Sequence, residues 1–257
     1  GSANDDVEAI ARACPEARLV RNAANLGFAG GSNRGIQAAR QARETPILLL
    51  NNDALMDESS VARMLHTLRE DDTIGLVGPL LFDAEDPHTF ISAGAKNPVL
   101  HHQTRVVTRP QAEIQEVEAI SGTAILIRSA VFEAVGLLDE DYFFSTELAD
   151  LCRRARQAGY RCVIDARARA YHRVSRSAGF RSTLYPYYIV RNRFLYVRKF
   201  YPALPRLLLT GFWASYSLAL SAKLRLTGER AAYRAVWLGL VDGLQGRFGG
   251  QNERVLN

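Results

Sequence analysis

The chain has 257 residues, 47% of them hydrophobic and 23% charged, and this composition excludes a disordered chain, a collagen and a coiled coil. Its three cysteines form no CxxC pair, which excludes a disulfide framework and a cysteine-based zinc site and favours a reducing compartment. Residues 1–150 carry 12 basic and 23 acidic side chains, whereas residues 151–257 carry 20 basic and 4 acidic, so we expect an anionic partner for the second half.

Predicted strands and helices alternate through the first two thirds of the chain. In chain order, the predicted elements are a helix over 7–13, a strand over 17–20, a glycine-rich loop over 25–33, a helix over 34–43, a strand over 46–50, a helix over 59–69, a strand over 74–77, a strand over 124–127, helices over 129–135 and 147–158, and a strand over 161–166. Segment 83–118 is rich in turn formers, which favours short strands or loop. The alternation predicts an α/β fold with a doubly wound, mostly parallel sheet and helices on both faces.

A change of composition near residue 179 divides the chain into a predicted domain over 1–179 and a helical, basic and apolar segment over 180–257. Within the second part, 207–222 carries no charge, and as a helix it would span about 24 Å, less than the roughly 30 Å of a bilayer core. Flanking arginines and aromatic residues favour a helix that lies in the interface of an anionic membrane surface. The alternative is a buried helix of a C-terminal bundle.

The glycine-rich loop lets backbone approach a nucleotide closely, and the helix start that follows it favours anions. It lacks the Gly-Lys-Ser/Thr ending of a P-loop and is not a GxGxxG motif. The candidate nucleotide-binding residues of this loop are Asn25, Gly27, Gly30, Gly31 and Asn33.

The apolar run 46–50 is typical of a parallel strand buried on both faces, and it ends at Asn51, Asn52 and Asp53. Open α/β sheets bind ligands at such strand ends, and a carboxylate there can hold Mg²⁺ or Mn²⁺. The alternative is a simple turn or helix cap. A metal at Asp53 would need a second ligand, for which the imidazole of His172, at the end of another predicted strand, is a candidate.

An acidic and aromatic cluster over 139–150 contains the candidate catalytic residues Glu147 and Asp150. Carboxylates at a helix start are often caps that interact with the helix dipole. Two phenylalanines and a tyrosine precede these carboxylates, and an apolar wall can raise the pKa of a carboxyl and make it a general base.

Over about residues 15–178, these motifs resemble, in order, the family 2 glycosyltransferases and their rhamnosyltransferase-like branch. The segments that carry the resemblance are 25–35, 51–53, 78–79, 121–124, 127–128, 136–140, 143–144, 150–154, 159–160 and His172. The resemblance implies a GT-A fold, a nucleotide-diphosphate sugar donor bound by the glycine-rich loop and by 51–53, and inversion at the anomeric carbon. It also implies a divalent metal on Asp53 and His172, and acceptor-binding residues at Gly122, Asp139 and Glu140.

The sequence departs from this family at two places. The family commonly has Glu-Asp-x-Asp where this chain has Leu148 between Glu147 and Asp150, so the usual aspartate base is replaced by leucine. The chain also begins where the family has already formed a strand, a helix and a strand. We expect about 30–40 residues that form these elements to precede Gly1, an estimate from the length of a βαβ unit.

We therefore expect a metal-dependent, inverting glycosyltransferase that acts on a glycan or lipid-linked acceptor in cell-envelope polysaccharide synthesis, with rhamnose as a candidate sugar. Its expected place is the cytoplasm, peripheral to the inner face of a bacterial plasma membrane. No nucleic acid is expected as a partner, because the arginines are dispersed and no nucleic-acid motif is present. The alternative is a catalytically degenerate binding or scaffold module of the same fold, which Leu148 and the short N-terminus favour.

Overall fold

The computed structural model describes Glu8 and residues 12–39, 45–173 and 183–257. Most of the predicted helix 7–13 lies outside these residues, as does the expected boundary between the two parts of the chain near residue 179.

The described residues form an α/β unit followed by helices. The strands are β1 (Ile47–Leu50), β2 (Ala54–Met56), β3 (Ile74–Asp83), β4 (Phe90–Ser92), β5 (Ile114–Glu116), β6 (Ala124–Ile127) and β7 (Arg161–His172). The helices are α1 (Gly27–Ala39), α2 (Glu58–Glu70), α3 (Ser129–Val135), α4 (Glu147–Gln157), α5 (Leu184–Phe200), α6 (Ala203–Leu226), α7 (Arg230–Gln245) and α8 (Asn252–Leu256), with a 3₁₀ turn at Glu140–Tyr142. The predicted alternation is confirmed, and β3 and β7 extend beyond their predicted ends.

The sheet is mixed rather than mostly parallel. Its strand order is β1-β6-β3-β7-β2, with β4 on β3 and β5 on β7. Of these pairings only that of β3 with β7 is parallel. The strands β1 and β3 are separated by β6, which runs antiparallel to both. The prediction that β1 is buried on both faces is wrong as well. It is half-buried, and within the described residues no strand pairs with its second edge.

Helices cover both faces of the sheet, as predicted. Successive side chains of a strand point to opposite faces, and this alternation separates two apolar clusters. On one face Met64 of α2 packs with Val77 of β3. On the other face Ile36 of α1 and Leu151 of α4 belong to the cluster that contains Leu76.

The front of the chain differs from its prediction in two ways. Residues 17–20 form no strand, and Leu19 and Val20 are exposed. The glycine-rich segment is not a loop, because α1 already begins at Gly27 and contains the remaining glycines. Close packing explains why glycine stands at the start of this helix. Gly27 has φ +70°, and a Cβ there would lie 2.3 Å from the carbonyl oxygen of Phe143.

Helices α5, α6 and α7 form a bundle that packs against the α/β unit. Its shared core includes Phe194 of α5, Trp213 of α6 and Leu240 of α7, together with Tyr142 from the 3₁₀ turn. Helix α6 contains the predicted uncharged stretch and uses one side for this bundle. The part of the chain that is described contains no helix with the length and apolarity needed to cross a bilayer.

Candidate functional site

The tip of β1 brings together two residues that are distant in sequence. The turn at Asn51 is held by its N–H, which donates to the carbonyl of Thr123 at 3.0 Å. Strand β2 then pairs antiparallel with β7 so that Ala54 lies opposite His172. This register places Nε2 of His172 3.2 Å from Oδ1 of Asp53.

The Asp53 carboxylate is left with an unsatisfied oxygen. Its Oδ1 is buried and accepts no hydrogen bond from the described residues, and Nε2 of His172 lies within ion-pair distance of it. A buried acceptor without a donor is costly unless a further group binds it. The unsatisfied oxygen and the adjacent imidazole therefore form a donor pair that fits a divalent cation.

The protein supplies few ligands at this tip. No cluster of three or more His, Cys, Asp or Glu side chains able to hold a metal occurs in the described ranges. Mg²⁺ and its relatives take one or two carboxylates and fill their remaining positions with water and substrate phosphate oxygens. Asn51 is half-buried and Asn52 is exposed beside Asp53. Two protein ligands are thus compatible with a metal that arrives with a phosphorylated ligand.

The N-terminus of α1 is not an open anion site, which corrects the expectation for the glycine-rich segment. The N–H groups of Phe28 and Ala29 donate to the carbonyl of Phe143 at 2.7 and 3.3 Å. Oδ1 of Asn25 accepts from the N–H of Gly27 at 3.0 Å. These donors are used to attach α1 to the loop that contains Phe143.

Asn33 has the same structural role. Its Nδ2 donates to the carbonyl of Leu138 and to Oε1 of Glu140, both at 2.9 Å, and its Oδ1 accepts from the N–H of Leu138 at 3.0 Å. Gly30 is buried, and a Cβ there would lie 3.5 Å from Oε2 of Glu140. Of the glycines predicted to contact a nucleotide, Gly31 alone has no atom within 4 Å of an added Cβ among the described residues.

The predicted acceptor residues lie around α4, but two of them are engaged by the protein. Asp139 caps the 3₁₀ turn and pairs with Nζ of Lys199 at 2.6 Å, and Glu140 accepts from Asn33. Gly122 packs closely against α4, since a Cβ there would lie 3.1 Å from Cδ1 of Leu148. Gly122 is next to Thr123, which holds the tip of β1, so this short segment connects the tip with α4.

Glu147 is the first residue of α4 and is buried, with Oε2 lacking a hydrogen-bond donor in the described part of the chain. Burial raises the pKa of Glu147 to about 7, and the charge of Asp150 adds to the rise. A carboxyl that titrates near neutral pH is suited to general-base catalysis. Leu148, at the position where the resemblance implies an aspartate, is buried in the core beneath Gly122 and supplies no polar group.

Asp150 is committed to structure, which removes the support for a catalytic role. It is fully buried. Its Oδ1 accepts from Nε of Arg154 at 2.6 Å, and its Oδ2 accepts from the hydroxyl of Tyr142 at 3.1 Å and from Nζ of Lys199. Both carboxylate oxygens are therefore occupied. Glu147 is the carboxylate at this helix start that remains unpaired.

The loop before Glu147 has a strained backbone that the sequence did not reveal. Phe143, Ser145 and Thr146 have φ values of 60°, 69° and 77°. None is glycine, and such positive φ values persist only where surrounding contacts enforce them. Strain of this kind is concentrated at active sites and switch regions. Arg191 and Asn192 of α5 supply part of the enforcing contacts.

Comparison with known proteins identifies the family of this chain. The chain matches the model of the family described as "Glycosyltransferase like family 2" over residues 2–194. It is 25% identical over 183 residues to the Low-salt glycan biosynthesis hexosyltransferase Agl10 of Haloferax volcanii, covering 68% of this chain and 58% of that protein. It is 26% identical over 203 residues to the N-acetylglucosaminyl-diphospho-decaprenol L-rhamnosyltransferase of Mycobacterium tuberculosis, covering 70% and 66%.

The fold is also similar to that in the crystal structure of GalNAc-T7 with UDP, GalNAc and Mn²⁺. The TM-score is 0.52 at 17% identity, over 66% of this chain and 34% of that one. The chain thus spans about a third of this structure and 58 to 66% of the two relatives. The chain belongs to the glycosyltransferase like family 2 and has a GT-A type α/β fold, which confirms the resemblance seen in the sequence.

The raised pKa of Glu147 predicts a pH-dependent stability. Its folded pKa of about 7 exceeds the ordinary 4.5, so between these values the folded state retains a proton that the unfolded state has released. The protonated Glu147 therefore contributes to the free energy of unfolding below the ordinary pKa, and this contribution is lost as the pH rises through about 7. Glu147→Gln stays neutral and is expected to raise Tm more at pH 8 than at pH 5. Calorimetry at both pH values, with the exposed Glu253→Gln as control, checks this, and equal Tm changes would contradict it.

Proposed function

We propose that this chain carries the catalytic unit of a metal-dependent, inverting glycosyltransferase that moves a sugar from a nucleotide-diphosphate donor to a glycan or lipid-linked acceptor. The observation that carries the proposal is a pair of carboxylates that each have one buried, unsatisfied oxygen: the half-buried Asp53 at the tip of β1 and the buried Glu147 at the start of α4. The segment at Gly122 and Thr123 connects them. Because the chain belongs to a glycosyltransferase family, we assign both carboxylates to one reaction, the transfer of a sugar.

Asp53 and His172 are the proposed ligands of Mg²⁺ or Mn²⁺. When bound, such a metal neutralises charge on the diphosphate leaving group. The unsatisfied Oδ1 of Asp53 supports this assignment, as does the presence of UDP and Mn²⁺ in the GalNAc-T7 structure of similar fold. Asn51 and Asn52 directly precede Asp53 in the same turn and are proposed to orient the donor.

Glu147 is the proposed general base. In a single displacement, the acceptor hydroxyl oxygen forms a bond to the anomeric carbon while the bond from that carbon to the diphosphate oxygen breaks. The hydroxyl proton passes to Oε2 of Glu147, and the configuration at the anomeric carbon inverts. The pKa of about 7 leaves a substantial fraction of Glu147 ionised near neutral pH, and the ionised carboxylate accepts the proton.

The named relatives support a substrate class. One is called a hexosyltransferase of glycan biosynthesis, and another is called a rhamnosyltransferase that acts on a diphospho-decaprenol lipid. On the basis of these names, we propose rhamnose as a candidate sugar. The proposed acceptor is a glycan or a lipid-linked molecule of the cell envelope.

The outer side of α6 supports a peripheral place at an anionic membrane, on the inner face of the plasma membrane. Leu204, Leu207, Leu208 and Phe212 are each at least 60% exposed. Their spacing puts them on one side of the helix, opposite Trp213, which faces the bundle. Basic residues of the same helix, Arg206, Lys223 and Arg225, complement acidic lipid headgroups. We therefore propose that α6 serves both as a helix of the bundle and as a helix in the membrane interface. One side of it packs in the bundle, and its exposed apolar side is proposed to contact lipid.

A binding or scaffold module is the second candidate, and the buried Leu148 favours it. Leucine at this position removes the aspartate that the family commonly uses, and Glu147 is only 6% exposed. Release of nucleoside diphosphate from a panel of nucleotide-diphosphate sugars, with and without Mn²⁺, separates the two candidates. Metal-dependent turnover supports the enzyme, and metal-dependent binding without turnover supports the module.

We predict that Asp53→Ala weakens Mn²⁺-dependent binding of a nucleoside diphosphate by about tenfold or more, because the main protein ligand is lost. The fold should remain, since this side chain has no hydrogen-bonded partner to lose at Oδ1 within the described residues. Calorimetric titration measures the binding. The matched control is Asp72→Ala, because this exposed side chain lies just before Ile74, at the end of β3 opposite to the end that pairs with His172. Unchanged metal-dependent affinity in folded Asp53→Ala would refute the site.

Glu147→Gln is predicted to lower turnover by about 10²-fold or more, the effect of losing a general base, with little change in donor affinity. Steady-state kinetics and donor titration on the same preparation check both parts. If Asp150→Asn, at an equal folded fraction, reduces turnover more than Glu147→Gln does, then the base has been wrongly assigned.

The double substitution Leu207→Ser and Leu208→Ser is predicted to reduce binding to anionic vesicles by about tenfold or more, because two exposed apolar side chains lose their burial in lipid. Flotation with phosphatidylglycerol vesicles measures this, and Leu256→Ser, an exposed leucine on α8, is the control. Binding that is equally strong to neutral vesicles at high salt would contradict the role of the basic residues.

A further inference from the structure

Two adjacent residues of α5 bind the loop that leads into Glu147. Asn192 is fully buried, and its Nδ2 donates to the carbonyl oxygens of Tyr142, Phe144 and Ser145 at 3.1, 2.9 and 2.7 Å. These three residues lie 47 to 50 positions earlier in the chain. One side-chain amide therefore joins the bundle to the segment just before α4.

Arg191 extends this contact and orients Asn192. Its Nη2 donates to the carbonyls of Asp141 and Tyr142, both at 2.8 Å, and its Nη1 donates to the carbonyl of Gly249. Its Nε and Nη2 also donate to Oδ1 of Asn192 at 3.0 and 2.8 Å, which fixes which way the amide points. The guanidinium is fully buried, so these donors have no competing water.

Every carbonyl oxygen from 141 to 145 consequently accepts a hydrogen bond from outside the loop. Arg191 and Asn192 supply the donors for four of them, and the N–H groups of Phe28 and Ala29 supply those for Phe143. Within this stretch and directly after it lie the three positive φ values. A strained backbone of this kind persists only when its contacts over-determine it. Here they come from α1, from α5 and from the N–H of Gly249, which donates to the carbonyl of Asp141 at 2.8 Å.

We propose that Arg191 and Asn192 are positioning residues for the general base: by holding the carbonyls of 141–145, they fix the direction in which Glu147 leaves the loop. This inference rests on the proposed function, because it assumes that Glu147 accepts a proton. Neither residue donates a hydrogen bond to the Glu147 carboxylate, so each acts through the backbone.

The bundle has other contacts that can maintain it when Asn192 is changed. Buried Asp242 binds the hydroxyl of Tyr187 and the side chains of Arg247 and Arg254. An apolar core that includes Trp213 and Leu240 adds to these. Loss of the Asn192 amide is therefore expected to alter the loop before it alters the bundle.

The test is a double-mutant cycle between Asn192→Ala and Glu147→Gln, read as nucleoside diphosphate released from a panel of nucleotide-diphosphate sugars with Mn²⁺. Asn192→Ala alone is expected to lower kcat by about 10²-fold, the cost of a base displaced by about 1 Å. The Kd for nucleoside diphosphate and Mn²⁺ should change less than about threefold. In the Glu147→Gln background, Asn192→Ala should cost almost nothing further, because the residue acts through a base that is already absent.

Arg254→Gln is the control, since it removes a hydrogen bond within the bundle and leaves the loop untouched. It should retain the parental kcat. Arg191→Lys provides a second variant should Asn192→Ala fail to fold, because lysine keeps the charge and loses the planar set of donors. It should also lower kcat and show the same non-additivity with Glu147→Gln.

The possible outcomes distinguish a failure of the positioning role from a failure of the proposed function. Independent, multiplicative losses for Glu147→Gln and either α5 variant would overturn the positioning role while leaving the proposed function intact. Parental turnover in Glu147→Gln would overturn both the base and its positioning. No metal-dependent turnover by the parent with any donor would contradict the proposed function itself.

Discussion

The capture of five consecutive carbonyl oxygens, those of residues 141–145, is the interaction on which the rest of this structure depends. Their donors come from the N-terminus of α1 and from Arg191 and Asn192 of α5, which are far apart in sequence. The same contacts attach α1 and the C-terminal bundle to this loop, and they enforce the positive φ values before α4. A loop that joins three parts of the molecule cannot shift without changing all three.

This constraint explains how two unsatisfied carboxylates can be maintained in one folded unit. Asp53 is held by strand pairing and Glu147 by the loop, and each has a buried oxygen without a donor in the described residues. Neighbouring carboxylates differ in this respect, since Asp139 and Asp150 are paired with Lys199 and others. A buried polar group without a hydrogen-bond partner lowers the stability of the fold. Groups of this kind are concentrated at sites where a protein binds a ligand or a proton.

Apolar runs and turn residues in the sequence predicted the helices and strands whose ends are set by neighbouring residues. The apolar run of β6 and the helix α3 agree with the structure to the residue, and the stop of α4 before Gly159 follows from its left-handed backbone. The glycine-rich segment misled the prediction because packing against Phe143 overrides the low helix propensity of glycine. Strand direction, the strain at 143–146 and the role of Arg191 with Asn192 arise from contacts between distant segments, which leave no periodic signal. Asp53 and His172 were expected to lie close together because each comes at or just after the end of a predicted strand, and the structure places them 3.2 Å apart.

The most direct test of the central claim is a crystal structure with Mn²⁺ and a nucleotide-diphosphate sugar, in which anomalous scattering locates the metal. We expect a manganese peak about 2.1 Å from Oδ1 of Asp53. We also expect the anomeric carbon of the sugar to lie between this metal and α4, with the Glu147 carboxylate on the face opposite the diphosphate. A manganese peak away from Asp53, or a sugar whose far face is turned away from Glu147, would contradict the proposed roles of both carboxylates.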